Sequence, residues 1–124
     1  MEVETKSLPE NAYVADFLPG DEATARSSLV VCNGGSLTTY QALAKGVPVL
    51  GIANNMDQLL NMSYVIATGA GRVLRASQVT SESLLRETRH LLSDPTPAAS
   101  AKRLAAEIEQ TRPFEAFAQV LERV

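Results

Sequence analysis

An apolar run, Leu29-Val30-Val31, passes through Cys32 and Asn33 into two adjacent glycines, Gly34-Gly35, and a helical pattern begins at Ser36 with no spacer between them. No other junction restricts the fold as tightly. Consecutive apolar residues suit a strand that a parallel sheet covers on both faces, and a parallel strand needs a crossover, usually a helix, before its neighbour. The spacing predicts a strand over 28–32 and a helix over 36–45, with Leu37, Tyr40 or Gln41, and Leu43-Ala44 at helical intervals and Gly46 ending it in a left-handed turn. The alternation continues with a strand over 47–52, a helix over 57–68 bearing Leu59, Leu60, Tyr64 and Val65, a Gly69-Ala70-Gly71 turn and a short strand over 72–76. Upstream, residues 1–11 read as a polar N-terminal segment and 12–18 as a strand ended by Pro19-Gly20, with Asp21 placed to cap a short helix. From Thr80 the pattern is helical. Leu84, Leu85, Thr88, Leu91 and Leu92 mark one stripe, Leu104, Ala105 and Ile108 another, and Phe114, Phe117, Val120, Leu121 and Val124 a terminal one that reads as core packing. The expected class is α/β: a partial Rossmann-like parallel sheet flanked by helices, with a helical C-terminus.

Composition narrows the partners. A chain of 124 residues, 45% hydrophobic and 20% charged, fits one domain with a real core. Its formal charge of -3, with Lys and Arg scattered singly, offers no basic stripe to a nucleic-acid backbone. The single cysteine, Cys32, allows neither a disulfide framework nor a thiolate metal cluster, and it reads as a buried strand residue. His90, between Arg89 and Leu91 on a helix, reads as a surface residue, so no metal site is expected. No apolar run approaches the ~20 residues that span a bilayer, and the polar start is unlike a signal peptide. The expectation is a soluble cytoplasmic protein.

The chemistry concentrates at two places. In Cys32-Asn33-Gly34-Gly35-Ser36-Leu37-Thr38-Thr39 the glycines admit an anion to the backbone, the helix start offers unpaired N–H groups and partial positive charge, and hydroxyls add donors. Together these make a phosphate site; a tight structural turn, with Ser36 or Thr38 as a cap, is the alternative. Directly after the next strand stand Asn54-Asn55-Met56-Asp57-Gln58 and Asn61, a mixed set of acceptors and donors suited to sugar hydroxyls. There the alternative is Asp57 as a helix N-cap. Both groups follow adjacent strands, so they share the carboxyl edge where open α/β sheets bind ligands.

From Phe17-Leu18-Pro19 through residues 32–48, then Asp57-Gln58-Leu59-Leu60-Asn61 and Gly69-Ala70-Gly71, the chain resembles the C-terminal domain of nucleotide-sugar glycosyltransferases, the family that includes macrolide glycosyltransferases and UDP-glucuronosyltransferases. The resemblance implies a GT-B fold, with residues 12–124 as a partial nucleotide-sugar-binding domain. It also implies a UDP- or TDP-sugar donor, no metal cofactor, and a separate N-terminal domain holding the acceptor and the general base. By position, Asn33, Gly34, Gly35, Ser36 and Thr38 would meet the diphosphate, Gln41 the ribose, and Asp57 and Gln58 the sugar. The family usually has His at Asn33, Gly at Leu37, Glu at Gln41 and Pro at Ala53, and these departures favour a second reading, a noncatalytic interaction module; a third, a nucleotide-sugar epimerase relative of the same fold, would need carboxylates or His in the crevice that the sequence does not supply. The chain is also expected to lack strands of the parent sheet, as a truncated piece or one part of a split enzyme. The strand over 28–32 would then be left with an open edge. Either the segment 12–18 moves beside it or a second copy pairs there and makes a homodimer.

Overall fold

A computed structural model describes residues 7–124 of the chain; the first six residues of the polar N-terminal segment lie outside the described range. The helices are α1 (Gly20–Ala25), α2 (Ser36–Ala44), α3 (Met56–Ala67), α4 (Ser81–Ser93), α5 (Pro95–Thr111) and α6 (Pro113–Glu122). The strands β1 (Val30–Cys32), β2 (Val49–Ala53) and β3 (Gly71–Arg75) form one parallel sheet in the order β1-β2-β3. Val30 pairs with Val49, and Val49 with Gly71. Cys32, Ala53 and Arg75 therefore end the strands along one edge, from which α2 and α3 depart.

Each crossover carries its own stop. At the end of α2 the Gly46 N–H donates to Leu43 O and the Val47 N–H to Ala42 O, at 3.0 Å each, with Gly46 at φ 71°. Only glycine takes that conformation without cost. β2, paired on both sides, is the buried strand, and Val49 and Leu50 are fully inaccessible. Ala42, Val47, Val49, Met62, Val65, Ala70 and Ala101 form the core, which joins the sheet to α2, α3 and α5.

Several expectations fail on tertiary grounds. Residues 12–18 form no strand: Tyr13 is 90% exposed and Phe17 82%, and no ladder joins the segment to β1. An extended apolar segment becomes a strand only through a partner's N–H and C=O groups, and this one makes no ladder with the sheet. Among the described residues, then, β1 keeps an open outer edge, and Val31 is half exposed where burial on both faces was expected. Asp21 does not cap α1, whose N-cap is Pro19; it lies in the first turn instead. In α4 the buried face runs through Ser83, Glu87 and Leu91, with Glu87 paired to Arg72 of β3, and Leu85 and Leu92 are left exposed. The terminal stripe is not core. No residue of α6 is buried, and Phe114 is 88% exposed.

Candidate functional site

The carboxyl edge is built from short-range hydrogen bonds around two helix starts. Gly34 sits at φ 85°, and a Cβ placed there would lie 2.7 Å from Met62 Cγ, so the backbone rests directly on the α3 side chain beneath it. The Asn33 side chain accepts the Gly35 N–H at 2.8 Å through Oδ1. The Gly34 N–H points back to Cys32 Sγ at 3.4 Å. Burial pushes the Cys32 thiol up from its ordinary value, with the Gly34 N–H pulling the other way.

α2 starts without a side-chain cap. Gly35 occupies the N-cap position and has nothing to offer the first-turn N–H groups of Ser36, Leu37 and Thr38, which have no carbonyl partner inside the helix. All three residues are exposed. With the Gly35 N–H taken by Asn33, these three amides are the donors left for an anion, together with the Ser36 and Thr38 hydroxyls. The helix adds the equivalent of about half a positive charge.

α3 starts differently. Its N-cap is Asn55, which accepts the Gln58 N–H at 2.9 Å, while Gln58 Oε1 accepts the Asn54 N–H at 2.7 Å. Asp57 is not the cap: it stands exposed in the first turn with its carboxylate free among the described residues. Gln58 retains only its amide N–H groups for a ligand. Arg75, at the end of β3, shares a shallow cavity of about 260 Å³ with Asn54, Asn55 and Met56. Sequence reasoning passed over this cation, which lies two strands from the glycine turn and is placed near the Asn54–Asp57 group only by the β2–β3 pairing.

Gln41 lies five residues beyond Ser36, about 7.5 Å along the helix axis. It faces α1 and donates through Nε2 to Asp21 Oδ1 at 2.9 Å, leaving its own Oε1 as an acceptor. Asp21 was thus assigned a capping role it does not have and is found beside a predicted site residue. Asn61 does not stand with Asp57 and Gln58. Its Nδ2 donates to Gly34 O at 2.7 Å and to Thr39 Oγ1 at 2.9 Å. A wider cavity of about 430 Å³ lies at the opposite, amino edge of β3, lined by Arg72, Glu87, His90 and Asp94. There the Arg72–Glu87 pair neutralises its own charge, and no row of free backbone donors faces it. Among the described residues no group of three or more His, Cys, Asp or Glu is placed to hold a metal, and no helix is long and apolar enough to cross a membrane.

A parallel sheet with helices in its crossovers and an uncapped, glycine-started helix at its carboxyl edge defines the class: a Rossmann-like α/β half-domain. The relatives give the family. Residues 1–123 match the erythromycin biosynthesis protein CIII-like C-terminal domain, and the chain belongs to that family. It is 51% identical over 100 residues to a PGL/p-HBAD biosynthesis rhamnosyltransferase of Mycobacterium bovis, an alignment covering 81% of this chain and 22% of the relative. The glycotransferase of kitacinnamycin superposes with a TM-score of 0.90 at 26% identity, over 99% of this chain and 32% of the other. The spinosyn rhamnosyltransferase solved with thymidine diphosphate superposes at 0.77 with 32% identity, over 83% of this chain and 28% of the other. The fold is that of the C-terminal domain of GT-B glycosyltransferases, and the chain spans about a quarter of the length of its mycobacterial relative.

Proposed function

We propose that this chain is the donor-binding portion of a glycosyltransferase, residues 12–124 holding a UDP- or TDP-sugar while a separate N-terminal domain holds the acceptor and the general base. The observation that carries the reading is the uncapped start of α2, with three first-turn amides unpaired at the sheet's carboxyl edge. The diphosphate lies over Ser36, Leu37 and Thr38, close to Asn33, Gly34 and Gly35. Those amides and the helix dipole offset the negative charge that grows on the nucleoside diphosphate as the bond to the sugar breaks, the work a metal ion does elsewhere. No metal is needed for that step. Gln41 Oε1 accepts a ribose hydroxyl, and Asp57 and the Gln58 amide bind hydroxyls of the hexose. A thymidine diphosphate complex of the spinosyn rhamnosyltransferase supports the nucleotide half of this reading.

The nucleotide-sugar supply and the unpaired Cys32 fit a cytoplasmic setting. The open edge of β1 pairs with a further strand of the parent donor-domain sheet or, in the isolated chain, with a second copy. Light scattering on the chain alone distinguishes a dimer from a monomer. Calorimetric titration tests the main claim: binding of UDP or dTDP is expected, and no binding of either would leave an interaction module as the better reading. Asp57→Ala should weaken the nucleotide-sugar by about 1.5–3 kcal/mol while leaving the bare nucleoside diphosphate nearly unchanged. Equal losses for both would show that Asp57 supports the fold and does not touch the sugar.

A further inference from the structure

The glycine turn is held from below by α3, and the holding is polar as well as apolar. Asn61, 27 residues downstream of Gly34, spends both hydrogens of its side-chain amide there: one on the Gly34 carbonyl at 2.7 Å, the other on Thr39 Oγ1 at 2.9 Å. Thr39, only 2% exposed, passes the restraint on, since its hydroxyl lies 2.9 Å from Gly35 O and 3.1 Å from Ser36 O. Met62, the next residue on α3, is fully buried and fills the space a Gly34 side chain would need. The carbonyls of Gly34, Gly35 and Ser36 are all drawn toward this one network. A peptide unit is rigid, so these three carbonyls fix the N–H groups of Gly35, Ser36 and Leu37 on their other side, and the Thr38 N–H follows them in the first helical turn.

We propose that Asn61 is a positioning residue for donor binding: by tying the Gly34 carbonyl and Thr39 it orients the turn so that the amides of Ser36, Leu37 and Thr38 converge on the diphosphate. This rests on the donor reading above and deepens it. Asn61 does not touch the ligand; it acts through the backbone of the turn. The side chain has the donor geometry the role needs, two N–H groups from one planar nitrogen reaching two acceptors on successive segments. An aspartate of the same shape would place a carboxylate against the Gly34 carbonyl and replace attraction by repulsion. The same helix carries Asp57 at its start, so α3 links the hydroxyl-reading cluster to the phosphate turn as one body, and a shift of the turn changes its spacing from Asp57.

The test uses the whole chain and titrates dTDP, UDP and inorganic pyrophosphate. Asn61→Asp should lower affinity for dTDP and for pyrophosphate by the same factor, about tenfold or more, the loss expected when a charge-assisted contact is mis-set by one to two kcal/mol. Amide resonances of Ser36, Leu37 and Thr38 should move in the unliganded variant, whereas those of the distant helix α4 should not. Thr39→Ser, which retains the hydroxyl, should stay near the parent protein in both respects. Where Asn61→Asp does not fold, Thr39→Val removes the second acceptor of the same network and is read in the same way. Parent-like pyrophosphate affinity in a folded Asn61→Asp overturns the proposal, as does an affinity loss with the three amide resonances unmoved. Failure of the unaltered chain to bind any of the three probes overturns the donor reading instead. The amide resonances of the unliganded variants then still decide whether Asn61 sets the turn.

Discussion

Two helices leave the same edge of the sheet after neighbouring strands, and their first turns are finished in opposite ways. α3 closes its own N-terminus: Asn55 accepts the Gln58 N–H, and Gln58 returns a bond to the Asn54 N–H. α2 leaves its N-terminus open, because its N-cap is Gly35 and its nearest polar side chain, Asn33, binds the Gly35 amide outside the helix. A capped helix start is stable alone, whereas an uncapped one is completed by water or by a ligand. The difference separates a helix start that is satisfied from one that is open, although both follow an apolar strand and both are rich in small polar residues.

The contrast can be broken most severely at Gly34. Gly34→Ala must hold a left-handed φ of 85° and place a methyl 2.7 Å from Met62 Cγ. The two penalties together should cost about 3 kcal/mol or more and abolish pyrophosphate binding, as read by chemical denaturation and calorimetry. A variant of unaltered stability would mean that Met62 gives way and that the turn is not braced from below. A milder test falls on the capped helix. Asn55→Ala should cost about 1 kcal/mol of stability while leaving pyrophosphate affinity where it was. If affinity fell with it, the start of α3 would belong to the phosphate site after all, and the contrast would disappear. The smallest effect is expected at Asn33, whose bond to the Gly35 N–H is exposed. Asn33→Ala should cost about 0.5–1 kcal/mol and change pyrophosphate affinity less than about threefold, since the amide it frees compensates for the looser turn. A much larger loss would place control of the turn in Asn33 and take it from Asn61.

The features that proved legible in sequence share one property: their causes lie within a few residues. Gly46 and Val47 end α2 through N–H bonds to Leu43 and Ala42, three and five positions back, and the apolar run 47–52 marks the buried central strand within a residue or two. The parallel order follows from the strand–helix alternation, and so does the placing of both polar groups after consecutive strands at one edge of the sheet. The family resemblance, carried by the same local stretches, agrees with the structural neighbours and the matching family.

What failed depended on distance. Residues 12–18 are as apolar as a strand requires, yet no partner lies beside them, and strand identity belongs to a pair and not to a segment. Asp21 appeared to cap the helix it begins, but its hydrogen bond goes to Gln41, twenty positions on. Asp57 looked like the N-cap until backbone geometry gave that place to Asn55, a choice between adjacent side chains that residue type alone does not make. The α6 stripe has the periodicity of a core helix and no core beside it, because periodicity states which face is apolar and says nothing of what covers it. Asn61 was read as a hydroxyl reader from its neighbours in sequence. Only the packing of α3 beneath the glycine turn turns its amide toward Gly34 and Thr39. The sequence by itself determined the alternation, the turns and the chemical character of the edge, through dihedral preference and short-range bonding. The tertiary structure decided which polar atoms are already satisfied and which remain for a ligand, since that depends on groups brought together from segments twenty or more residues apart.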